Sequence, residues 1–395
     1  MRQSRQAALL DRLVGVDPNK PWTLGAASMR NPAGAYTDPL RFQQELQVLF
    51  RGRPQFVGLS GDCALPGAWL TAELGGIPVV VLRQTDGSLR ALINACRHRG
   101  APLLSGMGPA GELAANADVN SETARSPGSI VCPYHGWTYD SAGRLLGRPA
   151  AWSGFDDVQG DCNLHGRAVA EQHGLIFVHP TSTEPFNVDD VLCGAEAELA
   201  DYELANYVHI ETRTNTWQMN WKLVLDTFTE SYHIRFLHKD SIAPYFLCDT
   251  LFDAFGPHPR AIGLRKSVVE QLVSTPRDEW QLLPYATAQY FLVPNGLVCY
   301  QIDHVEVWRI TPLDVGSVRV ATSIYAPVAP RDAKTLAYWK KNLDVLLNVT
   351  GTEDFPLMEQ IHKNLASGAL PEVIYGRIEP ALAHLHAAIN AALEA

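Results

Sequence analysis

Two short stretches, CRHRG at residues 96–100 and CPYHG at residues 132–136, each set a cysteine close to a histidine. The repetition constrains the fold more than any other feature. Two thiols and two imidazoles so far apart in sequence act together only if the chain brings two loops to one point. Coincidence is the competing explanation in a chain with 7 Cys and 13 His, and the surroundings of the two pairs argue against it. IPVVVL, a turn at Asp86-Gly87 and LRALINA predict a β-hairpin that delivers Cys96, while HGWTYD, the turn SAG and RLLG predict a second hairpin that leaves Cys132. Leu175 to Val178 predicts a further apolar strand closing a small all-β unit.

Seven cysteines without a small-scaffold spacing do not read as a disulfide framework, so reduced thiols available to a metal are the better reading. Cys96-x-His98 and Cys132-x-x-His135 could hold tetrahedral zinc, although zinc sites more often use four cysteines, or a cysteine pair followed by a histidine pair. The mixed order suits a two-iron cluster better. One iron would take both thiolates and the other both imidazoles, the Rieske [2Fe–2S] arrangement. Gly100 and Gly136 follow the pairs, and Trp137 is placed to shield a cluster or to serve as ordinary core.

The chain has 395 residues, and a single core seldom grows past about 250 to 300, so two domains are expected. A formal charge of −10, from 32 Lys+Arg against 42 Asp+Glu, argues against a nucleic-acid partner. No run approaches the roughly 18 apolar residues of a membrane span. The start, MRQSRQAALLDRL, reads as a charged helix rather than a signal peptide, so a cytoplasmic protein without a membrane partner is expected. The Gly- and Ser-rich residues 105–129 read as an inserted surface loop. In the second half, 217–243 contains no Gly or Pro and reads as helical, GLVCYQIDHVEVWRI and SVRVATSIYAP alternate like strands, and 332–366 and 379–394 read as helices.

Within 226–238, DTFTESYHIRFLH supplies Asp226, Glu230, His233 and His238. On an ideal helix the first three share a face, whereas His238 lies about 140° around from His233. Both imidazoles meet one ion only if the helix ends, unwinds or bulges near Arg235 to Leu237. Two histidines need a carboxylate to complete the facial triad that leaves positions open on Fe(II). TGTEDFPLMEQIH at 350–362 offers Glu353 and Asp354. His258 and His304 read as core or loop histidines. Cys63, Cys162, Cys193, Cys248 and Cys299 read as buried small hydrophobes.

NACRHRGAPL and VCPYHGWTYD resemble the Rieske motif of ring-hydroxylating and carnitine-monooxygenase-like Rieske non-haem iron oxygenases, and NWKLVLDTFTESYHIRFLH resembles their mononuclear iron segment. The spacer between the Cys/His pairs is about twice the usual length in that family, which the inserted loop accounts for. The resemblance implies an α+β fold. A small all-β Rieske [2Fe-2S] domain over 55–180 precedes a larger catalytic domain over 181–395, with an antiparallel sheet covered by helices, on which a helical segment over 1–54 packs. It implies Cys96, His98, Cys132 and His135 on the cluster, and His233, His238 and Asp354 on a mononuclear Fe(II). Glu353 is the alternative should the late acid be misassigned. Glu230 stands where most members carry Asp, a variant also seen among oxygenases of trimethylammonium compounds. By the same resemblance it bridges one subunit's cluster to the iron of its neighbour in a homotrimer. Asp226 reads equally as support for that bridge or as a structural acid.

The reaction so implied uses O₂ and electrons from a separate flavin or ferredoxin reductase, with NAD(P)H involved only through that partner. The substrate is a small aromatic or quaternary ammonium compound. Monohydroxylation or oxidative demethylation is favoured, and cis-dihydroxylation by the alpha subunit of an α/β enzyme is the alternative. A Rieske electron carrier without the second iron is the reading from another class.

Overall fold

The computed structural model describes residues 1–17, 20–108, 128–149, 154–155 and 157–395. Most of the loop expected over 105–129 lies outside the described residues, namely 109–127. The chain divides into two compact units, one of residues 50–188 and one that joins residues 1–49 to 189–395. No helix among the described residues is long and apolar enough to cross a membrane.

The 50–188 unit is built from short antiparallel strands, and its middle strand shows why. Ile77–Arg83 is apolar at both alternations, so each face is buried against a different core. Val80 and Leu82 pack with Cys96, Cys132 and Trp137, while Val79 and Val81 pack with Leu70, Ile176 and Val178. It pairs with Trp69–Leu74 on one side and Leu89–Ile93 on the other within a five-stranded sheet. Two three-stranded sheets complete the unit, one of them formed by Ile130–Val131, Thr138–Tyr139 and Leu145–Gly147.

The two Cys/His loops share one hydrogen-bond pattern. The Gly100 N–H donates to the Cys96 carbonyl at 2.8 Å and the Gly136 N–H to the Cys132 carbonyl at 3.0 Å. Each cysteine N–H then closes the loop on a carbonyl five residues on, Ala101 and Trp137, both at 2.8 Å. Closing so tightly needs a left-handed residue, and both glycines take it, at φ 75° and 70°. This is why each pair ends in glycine.

The other unit is organised by a seven-stranded antiparallel sheet in the order Val208–Trp217, Ser317–Ala326, His304–Asp314, Gly296–Gln301, Ala286–Leu292, His258–Arg265, Phe246–Phe255. Helices Trp221–Thr229, Ala333–Val349, Phe355–Ala366 and Pro380–Glu394 belong to the same unit. Both units together form the expected α+β class. The N-terminal segment is tied in by a buried ion pair, Lys222 Nζ to Glu45 at 2.7 Å, to which Trp221 Nε1 adds a hydrogen bond at 2.9 Å. Burial pulls Lys222 down to about 8 despite the opposing pull of Glu45.

One expectation fails here. Residues 217–243 are not one helix: Trp217 ends a strand, the helix stops at Thr229, and only Ile234–Leu237 is helical beyond it. Glu230 is extended at φ −136° and ψ 159°, so the break falls at the acid rather than near Arg235 to Leu237. The shared helical face argued for Asp226, Glu230 and His233 does not exist.

Candidate functional site

The cysteine sulfurs sit inside the small unit and the imidazoles sit outward. Cys96 and Cys132 are each 3% exposed, His98 is half-buried and His135 is exposed. The two imidazoles lie 4.7 Å apart between ring centroids. Trp137 stacks on His98 at 5.1 Å and Phe155 meets it edge-on at 5.4 Å, which fixes its plane. Burial, with His135 and Arg99 nearby, holds His98 below its usual pKa, which favours the neutral imidazole that a metal requires.

Burial pushes the Cys132 thiol up, backbone N–H groups of Tyr134 and His135 pull it back, and the adjacent Cys96 adds to the rise. The Tyr139 hydroxyl lies 3.3 Å from Cys96 Sγ and accepts the Arg97 N–H at 3.1 Å, so its own hydrogen is left for the sulfur. His98 Nδ1 is buried with no hydrogen-bond partner. Two adjacent buried thiols, two outward imidazoles and one orphaned ring nitrogen fit the donor types of a [2Fe–2S] cluster bound by two sulfurs and two nitrogens.

The larger unit brings His233, His238 and Asp354 together, with one donor atom from each within 4.8 Å of the others. Asp354 Oδ1 faces both imidazoles, 3.0 Å from His238 Nε2 and 3.5 Å from His233 Nε2. The opposite ring nitrogens are held by other acids. Glu353 Oε2 lies 2.9 Å from His238 Nδ1, and Glu230 takes His233 Nδ1 as well as the His233 backbone N–H at 3.1 Å. Each histidine is therefore oriented through Nδ1 with Nε2 aimed at a common point, the arrangement that fixes metal-binding imidazoles.

Burial opposes charge on His238, yet the Asp354 and Glu353 carboxylates win and raise its pKa. Three carboxylates around two imidazoles make a site short of positive charge. A divalent cation with open positions fits it.

Glu353, the alternative to Asp354, meets the same imidazole from its other side. The segment Thr350–Asp354 is a π-helical turn between two α-helices. Its wider winding lets two consecutive acids grip opposite sides of one imidazole. Asp226, only 8% exposed, accepts from Tyr36 Oη at 2.6 Å and bonds His386 Nε2 at 2.9 Å.

A cavity of about 290 Å³ opens beside the three ligands, with Phe228, Phe246, Trp308 and Glu306 among its lining residues. That is the small end of the range for ligand pockets. Sequence reasoning missed His304, Cys299 and Arg265, which also line it. Their only signal is the register of distant strands. Phe228 and Phe246 line the cavity, whereas Tyr232, Phe236 and Tyr245 are exposed. Among the cysteines outside the two pairs, Cys63 and Cys299 are buried, but Cys162 is half-buried and Cys193 exposed, contrary to expectation, and the Cys248 side chain lies outside what the structure describes. Cys193 lies beside the left-handed Gly194 and is held by the Asp190 carbonyl at 3.3 Å.

A cysteine–histidine β-module and a separate antiparallel-sheet unit with a two-histidine, one-carboxylate site are the two halves of a Rieske-type oxygenase. Residues 53–159 match the Rieske [2Fe-2S] domain, and residues 204–395 match the ring hydroxylating alpha subunit (catalytic domain). This chain belongs to the ring-hydroxylating family of Rieske oxygenase alpha subunits.

It is 31% identical over 266 residues to the glycine betaine monooxygenase oxygenase subunit of Chromohalobacter salexigens, covering 66% of this chain and 53% of that protein. It is 29% identical to the carnitine monooxygenase oxygenase subunit of Escherichia coli over 55% of this chain and 52% of that protein. The chain spans from about half to just under two thirds of the length of the first such relatives, 53% and 65%. A solved quaternary ammonium Rieske monooxygenase in complex with L-carnitine shares the fold at a TM-score of 0.73 and 19% identity, covering 95% of this chain and 96% of that one. Naphthalene 1,2-dioxygenase shares it at 0.69 and 20%, covering 96% and 95%.

Proposed function

We propose that this chain is the terminal oxygenase of a multicomponent Rieske system that hydroxylates or oxidatively demethylates a small quaternary ammonium compound. The observation that carries it is Asp354 facing the Nε2 atoms of both His233 and His238 in the wall of a cavity. The names of the sequence relatives support the substrate class over the aromatic one.

In this reading Cys96, His98, Cys132 and His135 hold the cluster, and His233, His238 and Asp354 hold a mononuclear Fe(II). Bound there, the cluster supplies single electrons and the mononuclear iron supplies activation of O₂. The chain does the rest. Glu230 and Glu353 hold the Nδ1 protons of the two histidines and so keep each Nε2 lone pair on the metal side. Phe228, Trp308 and Leu297 give the cavity its dry wall, which places substrate and excludes water.

Glu230 is the group that reaches a cluster histidine of a neighbouring copy, the partner's His98 or the partner's His135, in a homotrimer. Two exposed surfaces support such docking. Tyr232 and Phe236, 54% and 60% exposed, flank His233 in the chain, and Tyr134, 58% exposed, precedes His135. The electrons come from a flavin or ferredoxin reductase that uses NAD(P)H, and the protein works in the cytoplasm.

Iron and acid-labile sulfide analysis of the purified protein tests the assignment. About three irons and two sulfides per chain are expected. Two irons with two sulfides would make the chain an electron carrier, and zinc without sulfide would end the proposal.

A further inference from the structure

The floor of the cavity is the seven-stranded sheet, and its register sorts the lining residues by chemistry. Thr250, Gly263, Thr287, Gln301 and His304 face one another across five strands. Two residues along, Gln289, Cys299 and Glu306 form the next row, and two further on Leu297 stands opposite Trp308. The first and third rows are four residues apart, about 13 Å along a strand.

The apolar row abuts the iron-binding elements. Phe228, two residues before Glu230, lies 4.8 Å from Trp308 between ring centroids, and Phe355, next to Asp354, lies 6.1 Å from it.

Two residues past Gly263 of the polar row, Arg265 also lines the cavity. Its guanidinium sits over the Phe246 ring at 5.6 Å, and its Nε is buried with no hydrogen-bond partner. Two other arginines of this unit are answered by carboxylates, Arg260 by Glu198 at 2.6 Å and Arg213 by Glu211 at 2.7 Å. Among the described residues no carboxylate pairs with Arg265. Of the acids that line the cavity, Glu306 is engaged by His304 Nε2 at 3.3 Å, and His304 Nδ1 is engaged by Asp303 at 2.8 Å. Thr287 Oγ1 donates to Gln301 Oε1 at 2.8 Å, which leaves the Gln301 NH₂ as a second donor in the polar row. A half-buried guanidinium with no carboxylate partner, beside a neutral donor, is an incomplete anion site.

We propose that Arg265 is the specificity-determining residue for a substrate carboxylate, so that the substrate is a small organic acid. This rests on the oxygenase reading and deepens it, because it selects zwitterionic betaines over ammonium alcohols. A substrate that is only a cation would meet the Arg265 charge and find the Phe246 face already covered.

The test uses the iron-loaded protein and pairs of probes that differ in a carboxylate against an alcohol: glycine betaine against choline, and benzoate against benzyl alcohol. Binding is read by calorimetry, and turnover as separate KM and kcat. At least one carboxylate is expected to bind in preference to its alcohol partner. Arg265→Gln should weaken that carboxylate about ten- to a hundredfold, chiefly in KM, with Arg265→Lys recovering part of the loss and the alcohol unaffected. Equal loss for both members of a pair, no loss for the carboxylate, or failure of the wild type to bind any carboxylate overturns the proposal. The iron content of the same preparation separates the two failures. Two irons per chain sink the oxygenase reading, whereas three irons without carboxylate selection sink only the role of Arg265.

Discussion

Glu353→Ala tests the division of labour between consecutive acids. The substitution removes the acceptor 2.9 Å from His238 Nδ1 and frees Ser241 Oγ, which donates to the same oxygen at 3.0 Å. It leaves Asp354 and both Nε2 atoms in place. The Glu353 side chain is 27% exposed, so its loss opens no cavity in the core. What changes is the orientation and basicity of one ligand. Removal of such a partner costs about 10- to 100-fold in metal affinity, or about 1.4 to 2.8 kcal/mol. Competition between the protein and a chelator of known Fe(II) affinity gives the number directly, with urea unfolding as the control for fold. Asp354→Ala, by contrast, should retain no mononuclear iron while the cluster stays intact. Unchanged affinity in Glu353→Ala, or iron lost from Glu353→Ala and kept by Asp354→Ala, would refute the assignment.

Glu230→Gln should keep the mononuclear iron yet slow single-turnover reoxidation of the reduced protein by more than a hundredfold, followed by stopped-flow absorbance; a normal rate removes Glu230 from the electron route. Tyr139→Phe removes the hydroxyl 3.3 Å from Cys96 Sγ, and a loss of about 1 kcal/mol in favour of the reduced state lowers the potential by about 40 mV in a redox titration. An unchanged potential would show that this hydroxyl does not tune the cluster. Glu45→Gln leaves Lys222, 1% exposed, without its charge partner, and urea unfolding should show a loss of about 3 to 5 kcal/mol.

The parts of the fold that local pattern controls were legible. Alternation and turn residues marked the strands on either side of Asp86-Gly87, and the strand Leu175–Val178 falls where its apolar run predicted. The interrupted helix was not legible, because no Gly or Pro marks the break. The chain leaves the helix at Glu230, and the carboxylate that departs takes the His233 N–H three residues on.

The role of Glu353 was hidden for a related reason. A π-helical turn has no sequence signature in TGTED, and under ordinary α-helical winding Glu353 and Asp354 point apart. Arg265 and His304 were hidden by distance. Only the register of five strands places them around one cavity, and no local period encodes that.

The most direct test of the central claim is a single turnover under ¹⁸O₂. Protein reduced anaerobically is mixed with labelled gas and the betaine probes, and products are read by mass spectrometry. One labelled oxygen in the product, or a methyl group lost as labelled formaldehyde, in an amount limited by the iron bound at His233, His238 and Asp354, is the predicted result. Protein that carries that iron and reoxidises with no labelled product from any carboxylate or ammonium probe would contradict it.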